Sequence, residues 1–311
     1  MPDPSLLDPS LKALVESLAE STATPMESLP VQEARKTYAG LAVLAGAIEE
    51  AAGVADIQIA GVACRVYRPQ QSSEVTATLL PILVWFHGGG WILGNLEATD
   101  GTARSLANRL GQLVVVVDYR LAPEATFPAA VDDSFAVTAW LGTEQAASLG
   151  GDCTQVSVGG DSAGGNLAAV VSLLCRDAGL VLKQQILVYP ITDVSRESGS
   201  YVENATGYLL TADIMRWFIK SYTAPDQRLD WRVSPLLAAD VSRVAPAYIL
   251  TAGFDPLRDE GIAYADRLRE AGVAVVHKHF PGAIHSFFSL GAITELAGEA
   301  MDQIAAAASA I

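Results

Sequence analysis

Residues Gln155–Leu167 read QVSVGGDSAGGNL, and the rest of the chain is arranged around them. Val156 and Val158 alternate with small or polar residues, as in a short buried strand. Gly160-Asp161-Ser162-Ala163-Gly164 follows, and residues 166–174 then carry a helical pattern. A serine between glycines two residues before and two after, on a strand-to-helix turn, is a nucleophile held out on a strained elbow. The turn is tight enough that a Cβ at Gly160 or Gly164 is expected to strike the neighbouring strand or helix. The following helix aims its free amides and positive dipole end at the place where an oxyanion would form. A plain glycine turn with an incidental serine has no need of the strand, the helix and the doubled glycine together.

Outward from this turn, strands and helices alternate. Residues 79–86, 113–118, 185–189, 247–253 and 273–280 read as strands, and 54–68 reads as a hairpin turning at Gly61. Residues 99–110, 127–141, 262–270 and the alanine-rich C-terminus read as helices. This rhythm predicts an α/β fold with a mostly parallel central sheet covered by helices on both faces. Two regions fall outside it. Residues 1–50 hold two helical patterns, 8–20 and one starting near 28, while 191–233 contains no core strand and reads as an insertion. The expected division is therefore an N-terminal helical segment (1–50), a core (51–190 and 234–311) and the insertion (191–233).

The chain of 311 residues is long enough to bury a large core. Its net charge of −15 argues against nucleic acid or an anionic membrane as a partner. No apolar run is long enough to span a bilayer. The first ten residues hold Asp3, Asp8 and three prolines, without a basic region followed by an apolar one, so a mature cytoplasmic chain is expected. Cys64, Cys153 and Cys175 have no metal-ligand spacing and form an odd set, which points to lone thiols. Asn204-Ala205-Thr206 matches a glycosylation acceptor and, without a leader, is read as chance.

A serine hydroxyl is a weak nucleophile and needs a base, which in turn needs an orienting group. The chain has four histidines. His87 opens His87-Gly88-Gly89-Gly90-Trp91, three glycines directly after a strand, whose bare backbone amides can approach a ligand; the histidine is expected to brace that loop. His277 and His279 share one face of a strand, a pair without a third metal ligand nearby, and no metal is expected. His285 lies in a loop after the last strand. An acid is expected after a strand between Ser162 and His285; Asp255 fits, and Asp259 is the rival, placed to start the next helix. Arg120, between Asp118 and Glu124, is expected to make a local ion pair that pins a loop.

Five motifs in one order carry a resemblance. HGGGW at 87–91, DYRLAPE at 118–124, GDSAGGNLA at 160–168, DPLRDEG at 255–261 and HSF at 285–287 are similar to those of the hormone-sensitive-lipase-like esterases of the α/β-hydrolase fold, over roughly residues 54–290. The resemblance implies carboxylic ester hydrolysis without a cofactor. It implies Ser162, His285 and Asp255 as the catalytic triad, and Gly88, Gly89 and Ala163 as oxyanion donors. It also implies a helical cap built from the N-terminal segment and the 191–233 insertion.

The expected substrates are small-molecule esters with short to medium acyl groups, aryl esters among them. An amidase or deacetylase would use the same triad, and a non-catalytic small-molecule receptor of the same fold would lack the base. Trp91, Asp161, Tyr208, Leu209 and Phe287, with Trp217 and Phe218, are the candidates for the substrate pocket. A homodimer would pair through the last edge strand, Val273–His279.

Overall fold

The computed structural model describes residues 3–70 and 79–308. Eight strands form one sheet: β1 (Gly53–Ile59), β2 (Val62–Arg68), β3 (Leu80–Phe86), β4 (Leu113–Val117), β5 (Gly151–Asp161), β6 (Gln185–Val188), β7 (Ala247–Phe254) and β8 (Val275–Ile284), in the order β1-β2-β4-β3-β5-β6-β7-β8. β1 pairs antiparallel with β2, and β2 with β4; every other pairing is parallel. The β1–β2 turn takes two residues, Ala60 (φ 51) and Gly61 (φ 83), the positive-φ pair that a twisted two-residue hairpin requires.

Nine helices pack around the sheet: α1 (Pro9–Ala19), α2 (Val31–Gly40), α3 (Leu96–Leu110), α4 (Ala129–Leu141), α5 (Ala163–Asp177), α6 (Gly199–Glu203), α7 (Ala212–Tyr222), α8 (Arg258–Glu270) and α9 (Leu296–Ala308), counted among the described residues. The last residues of the expected C-terminal helix, 309–311, lie outside them. The strand period assigns the two cores. Ile82, Val84 and Phe86 pack with Val137 of α4, Leu167 of α5 and Leu268 of α8. Leu83 and Trp85 point the other way and pack with Leu11 of α1, Leu106 of α3 and Ile304 of α9. A sheet buried on both faces explains why β3 and β4 read as unbroken apolar runs.

Two boundaries differ from the sequence reading for physical reasons. α3 begins at Leu96 rather than 99, because Asn95 Oδ1 accepts the Ala98 amide at 2.8 Å and caps the helix early. β8 continues through Pro281–Ile284, which reads as loop. It is an edge strand, where a residue without an amide proton is tolerated, and Gly253 opposite has no side chain to collide with the Pro281 carbonyl.

Arg120 does pin a loop, but its partner is Asp133 on α4, at 2.8 Å, rather than Asp118 or Glu124. Glu124 instead receives Arg35 of α2 at 2.7 Å, which ties the N-terminal segment to the core. No strand falls between Val188 and Ala247 among the described residues. No described helix is long and apolar enough to cross a membrane.

Candidate active site

Parallel strands all end at one edge of the sheet, and loops from that edge converge there. β3 delivers His87, β5 delivers Ser162, β7 delivers Asp255 and β8 delivers His285. Ser162 has φ 56, a strained value for a residue with a side chain. Both flanking glycines are obligatory. A Cβ on Gly164 would lie inside the Phe86 carbonyl oxygen, and one on Gly160 would overlap the Gly164 carbonyl. Ser162 is thus held at the entry to α5, its amide donating to the Val188 carbonyl at 2.9 Å.

His285 Nε2 lies 3.0 Å from Ser162 Oγ, and His285 Nδ1 lies 2.7 Å from Asp255 Oδ2. Asp255 is fully buried, and its Oδ1 accepts the Leu257 amide at 2.8 Å. That leaves Oδ2 aimed at the imidazole. Tyr189 packs its ring 4.5 Å from that of His285 and restrains it from the side. Asp259 is elsewhere: it accepts the Ser200 amide at 2.8 Å and pairs with Arg258 at 2.8 Å. Asn204, the residue of the glycosylation match, is fully buried and donates to the Asp255 carbonyl at 3.2 Å. It is a brace for the acid loop and is inaccessible to a modifying enzyme.

The glycine loop corrects one expectation. The Gly88 amide is not free for an oxyanion, because it donates to Asp161 Oδ1 at 3.0 Å. The amides of Gly89, Gly90 and Ala163 have no partner within the described residues. The free amide of Gly90 is one that the motif reading did not count. Which of three consecutive glycines is free depends on where a residue from another strand reaches. Asp161 sits in the cleft, and burial raises its pKa to about 6 against the opposing pull of His285 and the Gly88 amide.

His87 braces the loop as expected. Its Nδ1 lies 2.8 Å from the Gly88 carbonyl, its ring stacks on Tyr119 at 4.3 Å, and the Tyr119 hydroxyl donates to its carbonyl at 2.7 Å. Burial lowers its pKa to about 4, so the ring is neutral at pH 7. His277 and His279 flank one hydroxyl, Thr251 Oγ1, at 2.8 and 2.9 Å, remote from Ser162 in the sheet register. No group of three potential metal ligands occurs among the described residues.

Above Ser162 lies a cavity of about 120 Å³ walled mostly by aliphatic side chains. Leu209, Leu210, Ile214 and Phe218 come from the insertion, and Met26, Tyr38 and Leu41 from the N-terminal segment. Leu209, Phe218 and Asp161 are where the sequence reading puts them. Trp91, Tyr208, Trp217 and Phe287 are not in this wall. Trp91 is fully buried and stacks on Tyr222 at 4.3 Å, and Phe287 is buried against Tyr189 and Phe280. Tyr208 packs on Phe254 at 5.2 Å, and Trp217 turns away from the cavity against Phe218 at 5.1 Å. Large aromatics in a chain this size more often fill the core than line a cleft. The wall residues missed in the sequence carry no motif.

A family profile described as the alpha/beta hydrolase fold matches residues 83–289. Carboxylesterase NlhH of Mycobacterium tuberculosis is 41% identical over 253 residues, 80% of this chain and 76% of that protein. The chain belongs to the hormone-sensitive-lipase-like esterases of the α/β-hydrolase fold. This esterase is also 37% identical over 308 residues to an ethyl acetate hydrolase of Pseudomonas putida, covering 95% of this chain and 96% of the relative. Among solved structures it is similar to an α/β hydrolase from the metagenome of Lake Arreo, with a TM-score of 0.92, 43% identity and 98% of each chain covered. A hyperthermophilic esterase of Pyrobaculum calidifontis superposes with a TM-score of 0.89 at 38% identity, covering 100% of this chain and 99% of that one. The enzyme is a serine carboxylesterase and hydrolyses carboxylic esters.

Proposed function

We propose that Ser162, His285 and Asp255 are the triad, with Gly89, Gly90 and Ala163 as the oxyanion donors, and that the substrates are esters of short to medium acyl chains. The observation that carries this reading is the unbroken hydrogen-bonded line from Asp255 through His285 to Ser162. Ser162 Oγ attacks the ester carbonyl while His285 Nε2 takes its proton, and Asp255 holds the ring in the required tautomer and stabilises the imidazolium. Charge developing on the carbonyl oxygen meets the three free amides and the N-terminus of α5. His285 then protonates the departing alcohol, and water repeats the cycle on the acyl-enzyme.

The small aliphatic cavity supports the acyl preference, as does the relative named for ethyl acetate. Residues 1–50 and 191–233 are read as the cap, since both supply its walls. Three unpaired cysteines support a reducing, cytoplasmic compartment, and the acidic surface disfavours nucleic acid. Dimerisation, if tested by light scattering, is expected through the open edge of β8. The test of function is hydrolysis of p-nitrophenyl butyrate and its abolition in Ser162→Ala; a wild-type protein inert on that ester would overturn the reading. A matched ester and anilide separate esterase from amidase by their kcat/KM ratio.

A further inference from the structure

Tyr38, on α2, lines two neighbouring cavities. On one side is the catalytic pocket of about 120 Å³ with Ser162 and His285 in its wall. On the other is a cleft of about 330 Å³, lined by Arg35, Ala39, Asn95, Asp118, Leu121 and Glu124 and open to solvent at Glu124, whose side chain is 55% exposed. Among the described residues, Tyr38 and Gly94 alone face both. Gly94 is not an adjustable part of the partition: its φ is +92, and a Cβ there would run into the His87 ring and the Gly88 carbonyl. The phenol of Tyr38 is the one side chain that closes the gap.

The ring is held from outside the site. One turn earlier on α2, Arg35 donates to the Ile92 carbonyl at 2.8 Å, to the Ala122 carbonyl at 2.9 Å and to both carboxylate oxygens of Glu124 at 2.8 and 2.7 Å. Gln32 adds a third bond to Glu124. Positions three apart on a helix share a face, so this anchorage fixes where Tyr38 projects. The Tyr38 hydroxyl makes no hydrogen bond among the described residues and feels the Asp161 carboxylate only through space, so ring bulk rather than a tether makes the wall.

We propose that Tyr38 is a specificity-determining residue: its ring separates the catalytic pocket from the second cleft and limits how far an ester chain can extend on that side. The proposal rests on the reading of Ser162 as the nucleophile. Beyond the ring the lining gains the charged side chains of Arg35, Asp118 and Glu124. Asp118 makes no ion pair among the described residues, and Glu124 and Asn95 stand near it. A chain that passed the ring would therefore gain more from a hydroxyl or ammonium end than from a methyl end.

The experiment measures kcat/KM of wild type, Tyr38→Phe, Tyr38→Ala and Tyr38→Trp on two series, p-nitrophenyl esters from acetate to dodecanoate and alkyl acetates from ethyl to dodecyl. Wild type and Tyr38→Phe are expected to share one profile. Tyr38→Ala is expected to raise long members relative to short ones by about tenfold in one series, and Tyr38→Trp to cut the profile shorter. An ammonium-ended chain should gain more in Tyr38→Ala than its methyl-ended counterpart. Unchanged ratios in both series for both Ala and Trp variants overturn the proposal, as does an equal shift in Tyr38→Phe. Titration with a phosphonate inhibitor counts the competent sites, so a poorly folded variant is normalised, and the Trp variant reads independently of the Ala one. Loss of all wild-type ester hydrolysis would instead refute the triad reading, which the profile ratios do not test.

Discussion

Asp161 Oδ1 accepts the amide of Gly88 at 3.0 Å, so the residue before the proposed nucleophile holds the loop that carries two of the proposed oxyanion donors. Elbow and glycine loop come from different strands, β5 and β3, paired in parallel with Phe86 opposite Gly160. One carboxylate locks the two halves of the oxyanion site to each other. The lock is costly in stability. Its pKa is raised to about 6 by burial, so between pH 4 and 6 the folded state binds more protons than the unfolded one and stability falls as pH rises. Above that window the penalty is complete, about 2 kcal/mol once water in the cleft is allowed for. Asp161→Asn keeps an acceptor and loses the charge, so its melting temperature should exceed wild type at pH 8 and match it at pH 4. Asp161→Ala should lower kcat by about a hundredfold with little change in KM, as for a lost oxyanion donor. Equal melting curves at both pH values for Asp161→Asn would refute the burial account.

The triad reading makes a graded prediction. Ser162→Ala and His285→Ala should each reduce kcat by about 10⁶, and Asp255→Asn by about 10⁴, with far-UV spectra unchanged. A Ser162→Ala protein retaining a hundredth of wild-type activity on p-nitrophenyl butyrate would place the nucleophile elsewhere.

Asn204 tests the support of the acid. Its amide donates to the Asp255 carbonyl from a fully buried position. Asn204→Ala should leave that acceptor unpaired and cost about 1–3 kcal/mol in urea unfolding. The acid is then less firmly held, and kcat should fall more than KM rises. No change in either quantity would mean that the Leu257 amide suffices to position Asp255.

Glu260 is buried, and its Oε1 accepts the amides of Thr192 at 2.7 Å and Asp193 at 3.3 Å, while Oε2 has no partner. Burial pushes its pKa well above the usual carboxylate range, so it contributes a penalty that grows as pH rises past the unfolded value. Glu260→Gln retains the acceptor and should be neutral at pH 4 and stabilising at pH 8 in thermal melts. Glu260→Ala should destabilise at both, because two buried amides lose their acceptor. Destabilisation by the Gln variant at pH 8 would show that the carboxylate is paired in solution.

Short-range features were legible in the chain. The two glycines around Ser162, the apolar run of β3 and the position of His285 after the final strand each follow from local sterics, strand period or chain order, and the structure assembles them accordingly. Boundaries shifted where a side chain intervened, as with Asn95 capping α3, or where distant backbones met, as with Gly253 and Pro281. The pocket was less legible. Trp91 and Phe218 look equally suited to line it, yet one is sealed in the core under Tyr222 and the other faces the cavity.

The sequence by itself determined the fold, the elbow and the histidine that could serve it, because those depend on contacts between residues close along the chain or on strand order. Tertiary structure alone decided which glycine amides are left free and which apolar side chains line the cavity above Ser162. Both turn on where a side chain from a distant element comes to rest: Asp161 takes the Gly88 amide, and Tyr38 reaches the pocket from a helix that Arg35 anchors. Such distances are set by packing, and no spacing in the chain encodes them.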